Sequence, residues 1–289
     1  MRRRAFLGLA ALLLPAFLAA KPAKTEVKTN IRWGTFNVRY KNDGDAKQGV
    51  GWDVRKDRIV QYVKSNNIDV VGMQEVTHPQ LLDLVERLPE YDYVGVGRTD
   101  GKTKGEYSPV FYRKDKYEAL EKGNFWLSET PDMPGSKGWD AALERIASYV
   151  KLRDKATGKV FMAVNTHFDH VGVEARKQSA LLIMKKIQEI VGDKPAVVTG
   201  DFNVEESDEA YQTMVSSPFR MYDTYHKSLH HTGTTFTFHD FGKIHPLKCG
   251  KIDFIFITPG IHVERTHIEP PHYDAHLSDH NPHWADLEF

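Results

Sequence analysis

What most constrains this chain is where polar side chains break its apolar runs. Thr35-Phe36-Asn37, Gln74-Glu75, Asn165-Thr166-His167, Gly200-Asp201-Phe202-Asn203, Lys251-Ile252-Asp253 and Ser278-Asp279-His280 all sit where an apolar stretch gives way to acids, amides and imidazoles. A strand covered on both faces reads as a continuous apolar run, so a charge or amide belongs at its end, where it escapes the cost of burial without a partner. Repeated through the chain, this pattern predicts sheets whose ends offer carboxylates, amides and imidazoles to one place. Carboxylates with an amide suit a hard cation and histidines suit proton transfer, the combination that metal-assisted phosphate ester hydrolysis needs.

The runs between these ends set the organisation. Ile31 to Val38, Ile68 to Met73, Tyr91 to Val96 and Pro109 to Tyr112 read as strands, and Val54, Ile59, Val60 and Val63 recur at helical spacing, as do Leu81, Leu82, Val85 and Leu88. Lys41 to Gly51 reads as a loop. Ile146 to Leu152 and Val160 to Thr166 form a hairpin across Arg153 to Gly158, which implies antiparallel pairing. Val173 to Val191 is a long amphipathic helix, Ala196 to Thr199 a buried strand, Ser207 to Met214 a short helix, and Ile252 to Ile257 and His283 to Leu287 are strands. Hairpins mixed with helices, without a regular βαβ rhythm, predict an α+β layered sandwich. No repeat or low-complexity linker divides 31–289, which is read as one domain.

The amino terminus differs. Arg2-Arg3-Arg4 precede an apolar stretch that closes in Leu18-Ala19-Ala20, so residues 1–20 are expected to be a cleaved export signal and 21–30 a polar leader. The stretch is shorter than the ~20 residues a bilayer span needs and Pro15 interrupts it, which argues against a stable membrane anchor. Arg3-Arg4-Ala5-Phe6-Leu7 also resembles the twin-arginine export pattern, and Sec export fits equally. The expected location is periplasmic or secreted. Lys and Arg number 39 against 39 Asp and Glu, so the chain lacks the basic excess of proteins that grip long nucleic acid. Cys249 is the one cysteine, which excludes an internal disulfide even for an exported chain.

Individual residues carry specific expectations. Asp201 and Asn203, two apart on an extended backbone, would point the same way, a carboxylate to align water and an amide to hold a phosphoryl oxygen. Glu75 closes an apolar strand and, with Asn37 and Asp279, would supply the sparse oxygen shell that Mg²⁺ prefers, or Mn²⁺ in its place. His167, Asp169 and His170 crowd one strand end. Asp253 is a lone acid in an apolar strand and needs a partner, for which His280 is the candidate.

These ordered segments, together with Glu106-Tyr107-Ser108, resemble the endonuclease/exonuclease/phosphatase superfamily, the DNase I-like hydrolases, over 31–289. The resemblance implies a four-layer αββα sandwich of two mixed β-sheets flanked by helices. It implies catalytic roles for His167, Asp201, Asn203, Asp253 and His280, metal binding by Asn37, Glu75 and Asp279, and an Mg²⁺-dependent attack of water on a phosphomonoester or phosphodiester. Tyr107, Phe125 to Pro131, Trp126, Trp139 and Arg145 are similar to its secreted bacterial branch. Asn37, Tyr107, Arg145, Asp169 and His170 are the expected substrate contacts, with Arg145 able to fork onto a phosphate. Asp169-His170 stands where many DNA-cleaving relatives carry other residues, which favours a small-molecule or terminal phosphate, with nucleic acid as the other class; a monomer is expected.

Other readings compete. His272, His276 and His280 are four apart, a zinc or copper spacing on a helix, but Pro270, Pro271 and Pro282 leave little room for that helix. A non-catalytic binding module on the same fold is a third reading, against which every catalytic-type position is filled. Gly97 to Thr103 ends in Gly-Lys-Thr, but its glycines fall one residue short of a phosphate-cradling loop. No Gly-x-Ser-x-Gly elbow is present, so a serine hydrolase has no support.

Overall fold

The computed structural model describes residues 28–216 and 219–289, so the expected export signal and most of the leader lie outside the described residues. In chain order the elements are β1 (Asn30–Asn37), α1 (Asp43–Lys47), α2 (Trp52–Ser65), β2 (Val70–Gln74), α3 (His78–Arg87), β3 (Tyr91–Val94), β4 (Val110–Arg113) and β5 (Tyr117–Trp126). They continue with β6 (Ile146–Asp154), β7 (Val160–His167), α4 (Val173–Val191), β8 (Ala196–Asp201), α5 (Glu209–Ser216), β9 (Tyr222–Asp223), α6 (Thr224–Lys227), β10 (His231–Gly233), β11 (Asp253–Ile257), β12 (His262–Ile268) and β13 (His283–Glu288). The fold starts earlier than the leader boundary predicts, because Asn30 opens β1 and Thr29 already exchanges backbone hydrogen bonds with Phe289.

The strands form two mixed sheets, one ordered β10-β12-β13-β1-β2-β4-β3 and the other β5-β6-β7-β8-β11-β9. Alternation along each strand sends side chains to two different cores. Ile31, Trp33 and Val70 of the first sheet meet Val150, Phe161 and Val197 of the second between the sheets. Phe36, Val71 and Met73 face out against Ile59, Val63, Leu81 and Leu84 of α2 and α3, whereas Val164, Val198 and Phe254 face out against Ile183, Ile187 and Met214 of α4 and α5. The result is the expected αββα sandwich. In α4 the buried stripe Ala175, Ser179, Ile183, Ile187, Val191 repeats every fourth residue. Gly192, at φ +59, ends the helix in a conformation that favours glycine.

Three local expectations fail for physical reasons. Val54, Leu82 and Val85 keep helical spacing but are exposed, because Trp52 and Arg55 of α2, and Leu84 and Leu88 around the end of α3, take the buried positions instead. The expected loop after β1 contains α1, nucleated by Asn42, whose side chain accepts from the Asp45 backbone N–H at 2.8 Å. β5 and β12 escape the pattern because each carries charges on exposed positions and a register shift, between Ala119 and Glu121 and between Val263 and Arg265. No helix among the described residues is long and apolar enough to cross a membrane.

Candidate active site

Strand register brings the site together. β7 and β8 pair in parallel with His167 beside Asp201, and β8 and β11 pair antiparallel with Asp201 beside Asp253. In the other sheet Asn37 of β1 lies beside Gln74 of β2, with Glu75 next in the chain. The Asn37 amide joins the two sheets, donating to Glu75 Oε1 at 3.1 Å and to Asp201 Oδ2 at 2.9 Å. Beneath it a buried polar layer repeats the link: Gln74 Nε2 donates to Asn165 Oδ1 at 2.6 Å, Thr199 Oγ1 donates to the same oxygen at 3.0 Å, and Asn165 Nδ2 donates to the Met73 carbonyl at 2.7 Å. The sheets approach so closely here that a Cβ on Gly72 would collide with Thr199 Oγ1 and Asn165 Oδ1.

Above this layer opens a cleft of about 570 Å³. Its lining mixes the carboxylates Glu75, Glu106, Asp201 and Asp279 with the guanidinium groups of Arg39, Arg98 and Arg145 and the imidazoles of His167, His170 and His280. Asn203 does not reach it on an extended backbone as expected. It sits at φ +50 after the end of β8, its backbone N–H donating to Asp201 Oδ1 at 3.0 Å, and that turn carries its amide to 3.0 Å from His167 Nε2. Glu75 also occupies the left-handed region, at φ +61. Strained conformations of non-glycine residues concentrate where surrounding structure imposes them, commonly at functional sites.

His280 Nδ1 lies 2.8 Å from Asp253 Oδ2, and its Nε2 lies 3.7 Å from Asp201 Oδ2. Burial works against charge on this imidazole, but Asp253 and then Asp201 outweigh it and raise its pKa. Burial and the Asp253 charge raise Asp201. Burial, with Arg145 and Arg98 behind it, pushes His167 well down and keeps it neutral. Glu75 is raised by burial and by Asp279 and Glu106. Carboxylates that crowd and raise one another leave a deficit of positive charge. Ligand atoms of Glu75, His167 and Asp201 lie within 4.8 Å of one another, as do those of Asp201, Asp253 and His280. Hard oxygen donors dominate, so the residues fit a divalent cation of the Mg²⁺ type. Of the expected ligands, Glu75 and Asp279 line the cleft, whereas Asn37 Oδ1 accepts the Arg39 backbone N–H at 2.9 Å.

Two expected substrate contacts stand elsewhere. Tyr107 is buried and does not line the cleft; its hydroxyl donates to the Lys102 carbonyl at 2.8 Å and lies 3.1 Å from His78 Nδ1. Asp169 is buried among the backbone N–H groups of Ala142, Leu143, Val171 and Gly172, and it accepts from Arg145 Nε at 3.3 Å, which makes it a brace for that arginine. Arg145 and His170 do face the cleft, with Arg145 Nη2 3.0 Å from His170 Nδ1, and the buried Arg145 Nη1 has no protein partner. Trp126 is buried with its indole N–H on the Arg98 carbonyl at 2.6 Å. His272 and His276 lie outside any helix and belong to none of the metal-capable groups among the described residues. Arg39, Tyr40, Arg98, Glu106, Phe238 and Asp240 line the cleft without having been assigned a role from sequence. Their loops carry no periodicity, so only Arg39 and Glu106, which belong to the motif segments Thr35 to Arg39 and Glu106-Tyr107-Ser108, left a signal.

A model of the Endonuclease/Exonuclease/phosphatase family matches residues 34–280. The crystal structure of an endonuclease/exonuclease/phosphatase from Bacteroides vulgatus is 57% identical, with a TM-score of 0.88 over 90% of this chain and 98% of that one. A mannosyl-6-phosphatase of Bacteroides thetaiotaomicron is 40% identical, with a TM-score of 0.84 over 90% of this chain and 100% of that one. Drosophila melanogaster Nocturnin is 26% identical over 60% of this chain. The chain spans 28% of that protein's length, and 60% of an Acanthamoeba polyphaga mimivirus relative 30% identical to it.

Proposed function

The chain belongs to the Endonuclease/Exonuclease/phosphatase family, hydrolases of phosphate esters, and from that premise we propose that it is an exported, Mg²⁺-dependent phosphatase that removes phosphate from a sugar phosphate by direct attack of water. The observation that carries the reading is the convergence on Asp201: Asn37 from the other sheet, His167 and Asn203 from one side and the Asp253–His280 pair from the other. The 40% identity to a mannosyl-6-phosphatase supports a sugar phosphate, and the apolar amino-terminal segment supports export to the periplasm or beyond.

Glu75 and Asp279, with Asn37 in support, would hold the Mg²⁺ ion, or Mn²⁺, whose charge when bound neutralises phosphoryl oxygens. Asp201 accepts the proton of the water as its oxygen attacks phosphorus, the bond from phosphorus to the sugar oxygen breaks, and that oxygen takes a proton from solvent to leave as the alcohol. His280, fixed through Nδ1 by Asp253, donates from Nε2 to the phosphoryl oxygens as charge builds on them. Neutral His167 and the Asn203 amide hold the group in line from the opposite side. Arg145, which lines the cleft with His170 beside it and whose Nη1 has no protein partner, takes the outer oxygens of the phosphate.

A panel of hexose 6-phosphates, nucleotides, diesters and oligonucleotides, each assayed with Mg²⁺, with Mn²⁺ and with EDTA, tests this. Orthophosphate released from a hexose 6-phosphate, abolished by EDTA and restored by Mg²⁺, is the expected result. Folded protein that leaves every monoester intact while cutting diesters would overturn it in favour of nuclease-type cleavage.

A further inference from the structure

The cleft does not end at Arg98 and Leu143. Those two residues and Glu106 form a shared wall, and beyond it runs an open groove of about 450 Å³ whose other side is Thr77, His78, Thr99, Thr103 and Glu144. The groove is preformed. Its outer wall is the 97–105 loop, closed on itself by hydrogen bonds from Gly97 N to the Lys102 carbonyl at 3.0 Å, Thr99 N to the Lys104 carbonyl at 3.1 Å and Gly101 N to the Gly97 carbonyl at 2.9 Å. This is the Gly-Lys-Thr segment that fails as a phosphate-cradling loop, and here it builds a side wall.

The groove's chemistry is one of acceptors. Arg98 is its single guanidinium and is already committed to Glu106 Oε2 at 2.8 Å. Glu144 adds a second carboxylate, braced by the Thr99 hydroxyl at 2.6 Å. His78 adds a third acceptor by elimination. The Tyr107 hydroxyl has one proton and donates it to the Lys102 carbonyl, so His78 Nδ1 must donate to Tyr107, and in the neutral imidazole this makes Nε2 the acceptor. Among the lining side chains the two carboxylates Glu106 and Glu144 outnumber the one guanidinium, which is already paired, while Lys102 and Lys104 stand exposed on the outer wall; the floor therefore disfavours the further phosphates of a nucleic acid. An uncharged ligand rich in hydroxyl donors suits the same surface.

We propose that this groove is a second subsite, receiving the neutral, polyhydroxylated remainder of the substrate, so that the preferred substrate is a phosphorylated terminal sugar of a glycan. The proposal rests on the phosphatase reading and specifies what lies behind the leaving oxygen. Contacts remote from the reacting bond raise kcat/KM when they hold the substrate through the transition state.

The test compares mannose 6-phosphate, a di- and a trisaccharide carrying the 6-phosphate on the terminal mannose, and a 3′-phosphorylated oligonucleotide. Wild-type kcat/KM should rise about ten-fold or more from the free sugar phosphate to the disaccharide. Thr103→Trp, an exposed position that fills the groove, should bring that ratio close to one while leaving turnover of mannose 6-phosphate unchanged. Glu144→Leu should lower the ratio in the same direction and guards against a folding defect in the first variant. Equal wild-type kcat/KM for free and glycan-linked sugar phosphates, an unaltered ratio in both variants, or preference for the oligonucleotide overturns the subsite. Absence of phosphate release from every monoester would instead overturn the phosphatase reading.

Discussion

Replacing Asp169 with Asn should unfold more than it unbinds. The carboxylate gathers five donors: Oδ1 accepts Ala142 N at 3.1 Å, Val171 N at 3.0 Å and Gly172 N at 2.8 Å, and Oδ2 accepts Leu143 N at 3.1 Å and Arg145 Nε at 3.3 Å. An asparagine keeps one acceptor oxygen and turns the other into an NH₂ that faces Leu143 N–H and Arg145. Hydrogen bonds to a charged group contribute about 1.5–3 kcal/mol each, and breaking a buried ion pair costs about 3–5 kcal/mol. The two overlap and do not add, so about 4 kcal/mol is expected. At roughly 2–4 °C per kcal/mol for a domain of this size, the melting temperature should fall by roughly 8–16 °C. Burial opposes ionisation of Asp169, but the four backbone N–H groups prevail and hold its carboxyl well below the usual range. A lowered folded-state pKa contributes stability above the unfolded value near ~3.9 and loses it as the pH falls further. The gap between wild type and D169N should therefore be constant from about pH 5 to 8 and narrow progressively as the pH falls below about 4. Thermal melts across that range, with KM measured well below the transition, decide the matter. A melting temperature within 2 °C of wild type alongside a raised KM would refute the bracing role and return Asp169 to the substrate.

Three further outcomes follow from the same geometry. Glu75→Gln should lower kcat/KM by about 10²-fold or more, yet melt no lower than wild type without metal, because it relieves a carboxylate that burial, Asp279 and Glu106 already disfavour; the Mg²⁺-induced rise in melting temperature should shrink, and an unchanged rise removes Glu75 from the metal shell. Gly72→Ala should cost about 3 kcal/mol by forcing Thr199 and Asn165 apart, and urea denaturation showing a loss below about 1 kcal/mol would mean that the sheets yield there. His283 is fully buried, and burial and the Lys251 charge push its pKa down to about 3. A depressed folded value keeps its full stability above the unfolded ~6.5 and surrenders up to roughly 5 kcal/mol as the pH falls toward 3. His283→Leu should flatten the pH dependence of the urea midpoint between pH 7 and 4, and parallel curves would rule His283 out as its source.

The split between what the sequence disclosed and what it concealed has a physical origin. Asp201, Asp253, Glu75, His167 and His280 were legible because an acid or imidazole that closes an apolar strand must escape burial or find a partner, and register then fixes which strand ends are neighbours. Their backbone geometry was not legible. Asn203 reaches His167 only through a left-handed turn, a region that asparagine tolerates better than most residues but does not require, and Glu75 adopts the same region with no such local preference; tertiary contacts select both conformations. Asp169 and Tyr107 show the complementary failure. Motif position placed both near the site, but their work is set by partners supplied from 142–143 and 171–172 in one case and from His78 and Lys102 in the other. Those partners come from loops, where hydrophobic periodicity says nothing. Strand ends of this kind carry the chemistry that relatives on one fold share, and loops carry what distinguishes their substrates. On that division, variants in the 97–105 loop and at 143–144 should exchange substrates while leaving the response to Mg²⁺ intact, and variants of Asn37, Glu75, Arg145 or Asp201 should lower turnover of every substrate alike.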